Sequence, residues 1–132
     1  MKWVVAQFVL IGVIVVALFV PPRPNLFLVG VPLAVAGAAL GTWSAVALGP
    51  ALTPLPTPRG PLVVDGPYRF LRHPMYVAGL LLLAGLSLAF SWIALALSGA
   101  LAVLWFFKSR VEEVHLAERF PEYAEYRRRV RF

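Results

Sequence analysis

Apolar residues run almost unbroken from Trp3 to Val20, with Gln7 the only polar interruption, and again from Leu26 to Leu48, where only Thr42 and Ser44 are polar. At about 1.5 Å of rise per residue, each run is long enough to cross a hydrocarbon core of roughly 30 Å as a helix. A third apolar stretch, Tyr76 to Phe107, is 32 residues long and is interrupted only by Ser87, Ser91 and Ser98. One straight helix of that length would reach roughly 48 Å, well beyond the core, so a break is required. Phe90-Ser91-Trp92 supplies it, a serine between aromatics of the kind found at membrane interfaces. The pattern predicts an all-α, integral-membrane helical bundle of about four transmembrane helices, 3–20, 26–48, 76–90 and 92–107, the last two a tight hairpin. The slightly short arms of the hairpin are expected to extend into the polar flanks, from Pro74 backward and through Glu112 forward.

The remaining segments are polar or rich in proline. Gly49 to Pro67 holds six prolines in 19 residues, which disfavours helix and makes 49–75 a connecting loop. Its Pro54-Leu-Pro-Thr-Pro58 stretch also has the look of a proline-motif ligand. In the tail, 108–132, Pro121 suits a first helical turn, and Tyr123, Tyr126 and Val130 recur at three- and four-residue spacing. Glu125 and Arg129 form an i, i+4 pair on another face. A short C-terminal interfacial helix is expected there, aromatic side inward, either as an anchor or as a lid. No internal repeat is present, and the whole chain, 1–132, reads as one domain.

Composition agrees with membrane residence, since 61% of the 132 residues are hydrophobic. Ala17-Leu18-Phe19 followed by Val20 and two prolines lacks a small-x-small cleavage pattern, so the first run is expected to be retained as a helix. With four spans, 11 of the 12 basic residues share one side and only Arg23 faces the other. The positive-inside rule then makes both termini and the 49–75 loop cytoplasmic, at a prokaryotic inner membrane. The net charge of +6 reads as orientation and attraction to anionic headgroups, with no nucleic acid expected as a partner. Without cysteine there is no disulfide, thiolate metal ligand or thiol nucleophile. Gly37-Ala-Ala-Leu-Gly41 is a small-x-x-x-small pattern that serves either packing within the bundle or a homodimer through the Gly37/Gly41 face.

Hydrogen-bonding capacity is concentrated in Gly66-Pro-Tyr-Arg-Phe-Leu-Arg-His-Pro-Met-Tyr76, at the edge of the third apolar stretch. If the chain turns at Ser91, His73 lies 18 residues before the turn and Glu112 lies 21 after it. At about 1.5 Å per residue the two return to nearly one depth, which brings this loop to face Glu112-Glu113. Taken singly, Arg69 and Arg72 read as anchors, His73 as a helix cap, Tyr68 and Tyr76 as interfacial aromatics, and the glutamates as a first solvated turn. Concentration weighs against those readings, because adjacent carboxylates repel unless cations or a ligand compensate them. A zwitterion would use both signs at once. Glu112 and His115 also sit at an i, i+3 spacing that can bind metal, but with two histidines in the chain no metal is expected.

The ordered combination of GPYRFLRHPMY, an apolar hairpin, Glu112-Glu113 and Phe120-x-x-Tyr123-x-x-Tyr126 resembles the isoprenylcysteine carboxyl methyltransferase and phospholipid N-methyltransferase superfamily over roughly residues 60 to 131. The resemblance implies an integral-membrane methyltransferase that uses S-adenosylmethionine. It implies cofactor contacts for Tyr68, His73, Tyr76, Glu112, Glu113, Tyr123 and Tyr126, and catalytic roles for Arg72, Tyr76 and Glu113. The implied acceptor is lipophilic or amphipathic: a prenylcysteine-like carboxylate, a phospholipid amine or a small thiol, reached from the bilayer. Pro121 stands after Phe120 where the family usually has glycine. Membrane sterol reductases resemble the chain in an Arg-His-Pro-x-Tyr-like stretch and imply NADPH, but they lack the paired glutamates. A non-catalytic scaffold or lipid-binding protein is the third reading.

Overall fold

The computed structural model describes residues 2–53 and 60–131; the stretch Pro54 to Pro58 and its proline-motif reading lie outside them. Among the described residues regular structure is entirely helical. Helix α1 covers Lys2–Ala17, α2 Phe27–Leu48, α3 Pro74–Phe90, α4 Trp92–Arg119 and α5 Tyr123–Arg129, with short 3-10 turns at Gly49–Ala51 and Gly66–Arg69. Two helices, α2 with its continuation to Ala51 and α4, are long and apolar enough to cross a membrane, while α1 and α3 are shorter apolar helices.

Helix α4 extends past its apolar run, as expected through Glu112, and goes on beyond it. The apolar run stops at Phe107, yet the helix continues to Arg119. Hydropathy marks where a segment leaves lipid, not where its hydrogen bonds stop, and no glycine or proline interrupts Lys108 to Arg119. The first proline, Pro121, follows the last helical residue closely. Helix α5 starts two residues after that proline, and its buried face of Tyr123, Tyr126 and Val130 packs on Leu62, Val64, Leu116 and Phe120. The aromatic side thus docks on the connector and α4 rather than lying open for a bilayer.

Packing follows α1 on α4, α4 on α3, and α3 on α2. The α2–α3 contact is the closest. A Cβ on Gly37 would lie 2.4 Å from the Leu82 nitrogen, and one on Gly85 would lie 2.4 Å from the Ala34 nitrogen. Gly37 and Gly41 both face Ala78 of α3, so the approach that their spacing permits is used within the chain. Ser91, between α3 and α4, accepts from the Ala94 N–H at 3.3 Å and so caps α4. The α1–α2 linker is tied to this corner, since Leu26 N–H donates to Leu88 O at 3.1 Å and Trp92 N–H donates to Pro22 O at 3.2 Å.

The outer surface is unusually apolar, and several polar side chains are buried. Leu28 is 94% exposed, and Phe8, Val16, Val35 and Val46 are exposed too, whereas Gln7, Ser44, Ser87, Ser98 and Lys108 are buried. The serines satisfy themselves on their own helices, with Ser44 donating to Leu40 O at 2.7 Å and Ser87 to Leu83 O at 2.6 Å. Large apolar side chains facing outward, over an interior that holds these polar groups beside an apolar core, suit a hydrocarbon surround.

Candidate functional site

At the pole opposite Ser91, the 3-10 turn Gly66–Arg69 carries the chain into α3. Gly66 holds φ +60, and a Cβ there would also crowd the Trp43 indole nitrogen at 3.2 Å, so this bend needs glycine. Pro67 and Pro74 preset the two helical starts. His73 therefore stands just before α3 and Tyr76 in its first turn, both turned toward α4.

The loop and the glutamates meet. Arg72 Nη1 donates to Glu113 Oε1 at 2.6 Å, and its Nη2 donates to the Arg131 carbonyl at 3.0 Å, so one guanidinium joins the loop, α4 and the tail. His73 Nε2 lies 3.2 Å from Glu113 Oε1, and its Nδ1 lies 3.7 Å from Glu112 Oε2. The Tyr76 hydroxyl donates to Glu112 Oε1. Its ring is stacked between His73 and Trp105, with centroids 5.8 and 5.1 Å away. Each carboxylate is thus compensated by cations and donors, which is what makes two adjacent buried-side glutamates tolerable.

These groups border a cavity of about 480 Å³. Tyr68, Arg72, His73, Tyr76, Glu112 and Tyr126 line it, whereas Glu113 and Tyr123 do not. The paired glutamates are therefore separated by the helix turn: Glu112 faces the space, and Glu113 grips Arg72 and His73 from outside it. Tyr123 is buried beside Tyr126 with centroids 5.7 Å apart. Tyr126 holds the tail to the loop by donating to the Tyr68 carbonyl at 2.8 Å. Burial pushes the Tyr126 hydroxyl up to about 12, with neighbouring Tyr123 adding to the effect. Burial likewise raises Tyr68 and Tyr123, so all three phenols remain neutral near neutral pH. His115 is turned back on its own helix, its Nδ1 donating to Val111 O at 2.8 Å.

Two further site residues, Gln7 and Lys108, come from segments that the sequence reading treated as span and tail. Lys108 is 1% exposed, and its Nζ donates to Gln7 Oε1 at 2.7 Å and lies 3.8 Å from Glu112 Oε1. Trp105 Nε1 donates to the same Gln7 oxygen at 3.2 Å. The signal was present, because Gln7 is the single polar residue in an 18-residue apolar run and has to find a partner there.

The bundle thus has two apolar helices of membrane-spanning length and, at one pole, a cavity walled by tyrosine, histidine and glutamate. The sequence profile of the phospholipid methyltransferase family matches residues 26–123, and the chain belongs to that family. Two curated relatives are similar over 71 residues: the cobalt-zinc-cadmium resistance protein CzcN of Cupriavidus metallidurans, at 42% identity, and the nickel-cobalt-cadmium resistance protein NccN of Alcaligenes xylosoxydans xylosoxydans, at 39%. Each match covers 52% of this chain and 33% of the relative, so the similarity spans a third of those proteins' length. No solved structure matches the chain.

Proposed function

We propose that the protein transfers a methyl group from S-adenosylmethionine to a lipophilic or amphipathic acceptor at the cytoplasmic face of a membrane that it crosses four times. The observation that carries this reading is the convergence of Arg72, His73 and Tyr76 with Glu112 on one cavity, in a chain of a methyltransferase family. The wall suits the cofactor chemically. Glu112 can accept from an ammonium, Arg72 can donate to a carboxylate, and the rings of Tyr68, Tyr76 and Tyr126 can face a sulfonium or stack on a base.

The cofactor supplies an already activated methyl group. The chain's own contribution is then alignment and exclusion of water, which needs no covalent nucleophile. Tyr76, fixed between His73 and Trp105, sets one wall. Glu113 serves as a positioning residue by holding Arg72 and His73. Tyr123 supports Tyr126, and Tyr126 closes the cavity from the tail. The acceptor enters between α1 and the end of α2, where Phe8, Leu48 and Leu52 border the space.

Calorimetric titration of the purified protein with S-adenosylmethionine and, separately, with NADPH tests the reading. Binding of the first alone is expected. Binding of NADPH alone would support the reductase reading, and binding of neither would support a scaffold.

A further inference from the structure

Gln7 is the one glutamine of the chain, and it stands in a run that is otherwise apolar. Its side chain is buried, and it borders the cavity from α1. Helix α1 does not need it for support, because Ile14 and Ala17 share the apolar core with Leu101 and Trp105 of α4. Residues 26–123, matched by the family profile, do not include it either.

The orientation of the amide is fixed by its neighbours. Lys108 Nζ lies 2.7 Å and Trp105 Nε1 3.2 Å from the same atom, Gln7 Oε1, and both nitrogens are donors that accept nothing. The oxygen has to face them, which turns the NH2 group the other way. Among the described residues that NH2 has no hydrogen-bond partner. A glutamate would take the same two bonds and complement the charge of the lysine as well, so holding these donors does not call for an amide. What glutamine adds is a pair of N–H donors. Around it the cavity wall is apolar or aromatic, with Phe8, Gly79 and Trp105. An unpaired donor is costly in such surroundings, and an acceptor on a ligand meets little competition from water.

We infer that the Gln7 NH2 is a recognition site at the apolar end of the cavity, donating to the carbonyl oxygen of an uncharged ketone or amide on a ligand whose body is hydrocarbon. Trp105 and Lys108 hold the amide in place. Lys108 is already paired with Glu112 at 3.8 Å, so this corner calls for a neutral group. The inference rests on the methyltransferase reading only in taking this ligand to be the methyl acceptor, and recognition itself involves no cofactor.

The test uses the protein in zwitterionic nanodiscs with heavy nitrogen in glutamine alone, so that a single side-chain NH2 signal in the NMR spectrum reports on Gln7. The probes are methyl nonyl ketone and undecane, one chain with and without a carbonyl, added at equal mole fraction in the discs. The ketone is expected to move the NH2 proton signal downfield to saturation, and undecane to leave it in place. Affinities are read from the fluorescence of Trp105 with Trp3, Trp43 and Trp92 replaced by phenylalanine. The ketone should bind about fivefold or more tighter than undecane, the scale of one hydrogen bond. Gln7→Glu keeps an oxygen for Trp105 and Lys108 but removes the donor, and it should bring the two probes to within about twofold of each other. If that variant does not purify folded, Gln7→Met makes the same comparison. A Gln7 signal that neither probe moves or that both move alike, or a ketone preference that survives the substitution, overturns the site. Titration of the same discs with S-adenosylmethionine judges the methyltransferase reading separately, since a protein that binds no cofactor can still show the ketone preference.

Discussion

Replacing Arg72 with methionine should release the tail while leaving the helical bundle assembled. The side chain makes two charge-assisted bonds, to Glu113 at 2.6 Å and to the Arg131 carbonyl at 3.0 Å. Such bonds are worth about 1.5–3 kcal/mol each, and stripping one partner from a buried ion pair costs about 3–5 kcal/mol. The Arg131 bond faces solvent and belongs at the low end. Glu113 also keeps His73 at 3.2 Å and Arg127 at 4.0 Å after the change. A net loss of about 3 kcal/mol follows, which corresponds to an increase of roughly 150-fold in tail opening at 1.4 kcal/mol per decade. Hydrogen exchange reads it directly: amides of residues 123–130 should lose protection on that scale while those of α3 keep theirs. The double variant Arg72→Met/Glu113→Gln should lose less than the single one, because no charge is then left unpaired. Tail protection changed by less than about threefold, or an equal loss in α3, would refute the assignment of Arg72 as the clamp between loop, α4 and tail.

His73→Ala and Glu112→Gln should each weaken S-adenosylmethionine binding by roughly 10- to 150-fold, with Glu118→Gln, exposed on α4, changing it less than about twofold; parental calorimetric affinity in both site variants would return these residues to caps and anchors. Gly85→Val should lower the thermal midpoint in detergent by the equivalent of about 1–3 kcal/mol or more, since even its Cβ meets Gly30 O at 2.5 Å, and an unchanged midpoint would disprove the close α2–α3 contact. Alkaline pH should undock the tail. The docked state favours neutral Tyr126 beyond its ordinary 10.0, so docking is intact below pH 10 and is lost as the pH rises through about 12. Tyrosinate absorbance with all four tyrosines titrating normally near 10 would contradict that burial.

Much of the helical layout was legible because lipid-length apolar runs admit few backbone solutions. Helices α1 to α3 end within three residues of the apolar runs that predicted them. The resemblance carried by GPYRFLRHPMY and Glu112-Glu113 is matched by the family assignment. The end of α4 beyond Glu112 was not legible from hydropathy, because the chain stays helical to Arg119 through propensity while its polarity changes. Nor could spacing distinguish Glu112 from Glu113. Adjacent residues on a helix point about 100° apart, and only the packing of α3 decides which one faces the cavity. Lys108 was hidden among the basic residues of the tail, its depth set by a glutamine about a hundred positions earlier in the chain.

The ties between the linker and the Ser91 corner make α1 a lever. Its far end is held where Pro22 and Leu26 bond to Trp92 and Leu88, and its near end carries Gln7 and Phe8 along the cavity mouth. Gln7 lies ten residues from Ala17, about 15 Å up the helix, so a tilt of only 10° moves it roughly 2.6 Å. That displacement is comparable to the Lys108–Gln7 bond itself, at 2.7 Å. The position of Gln7 and Phe8 at the cavity wall therefore follows the angle of a single helix.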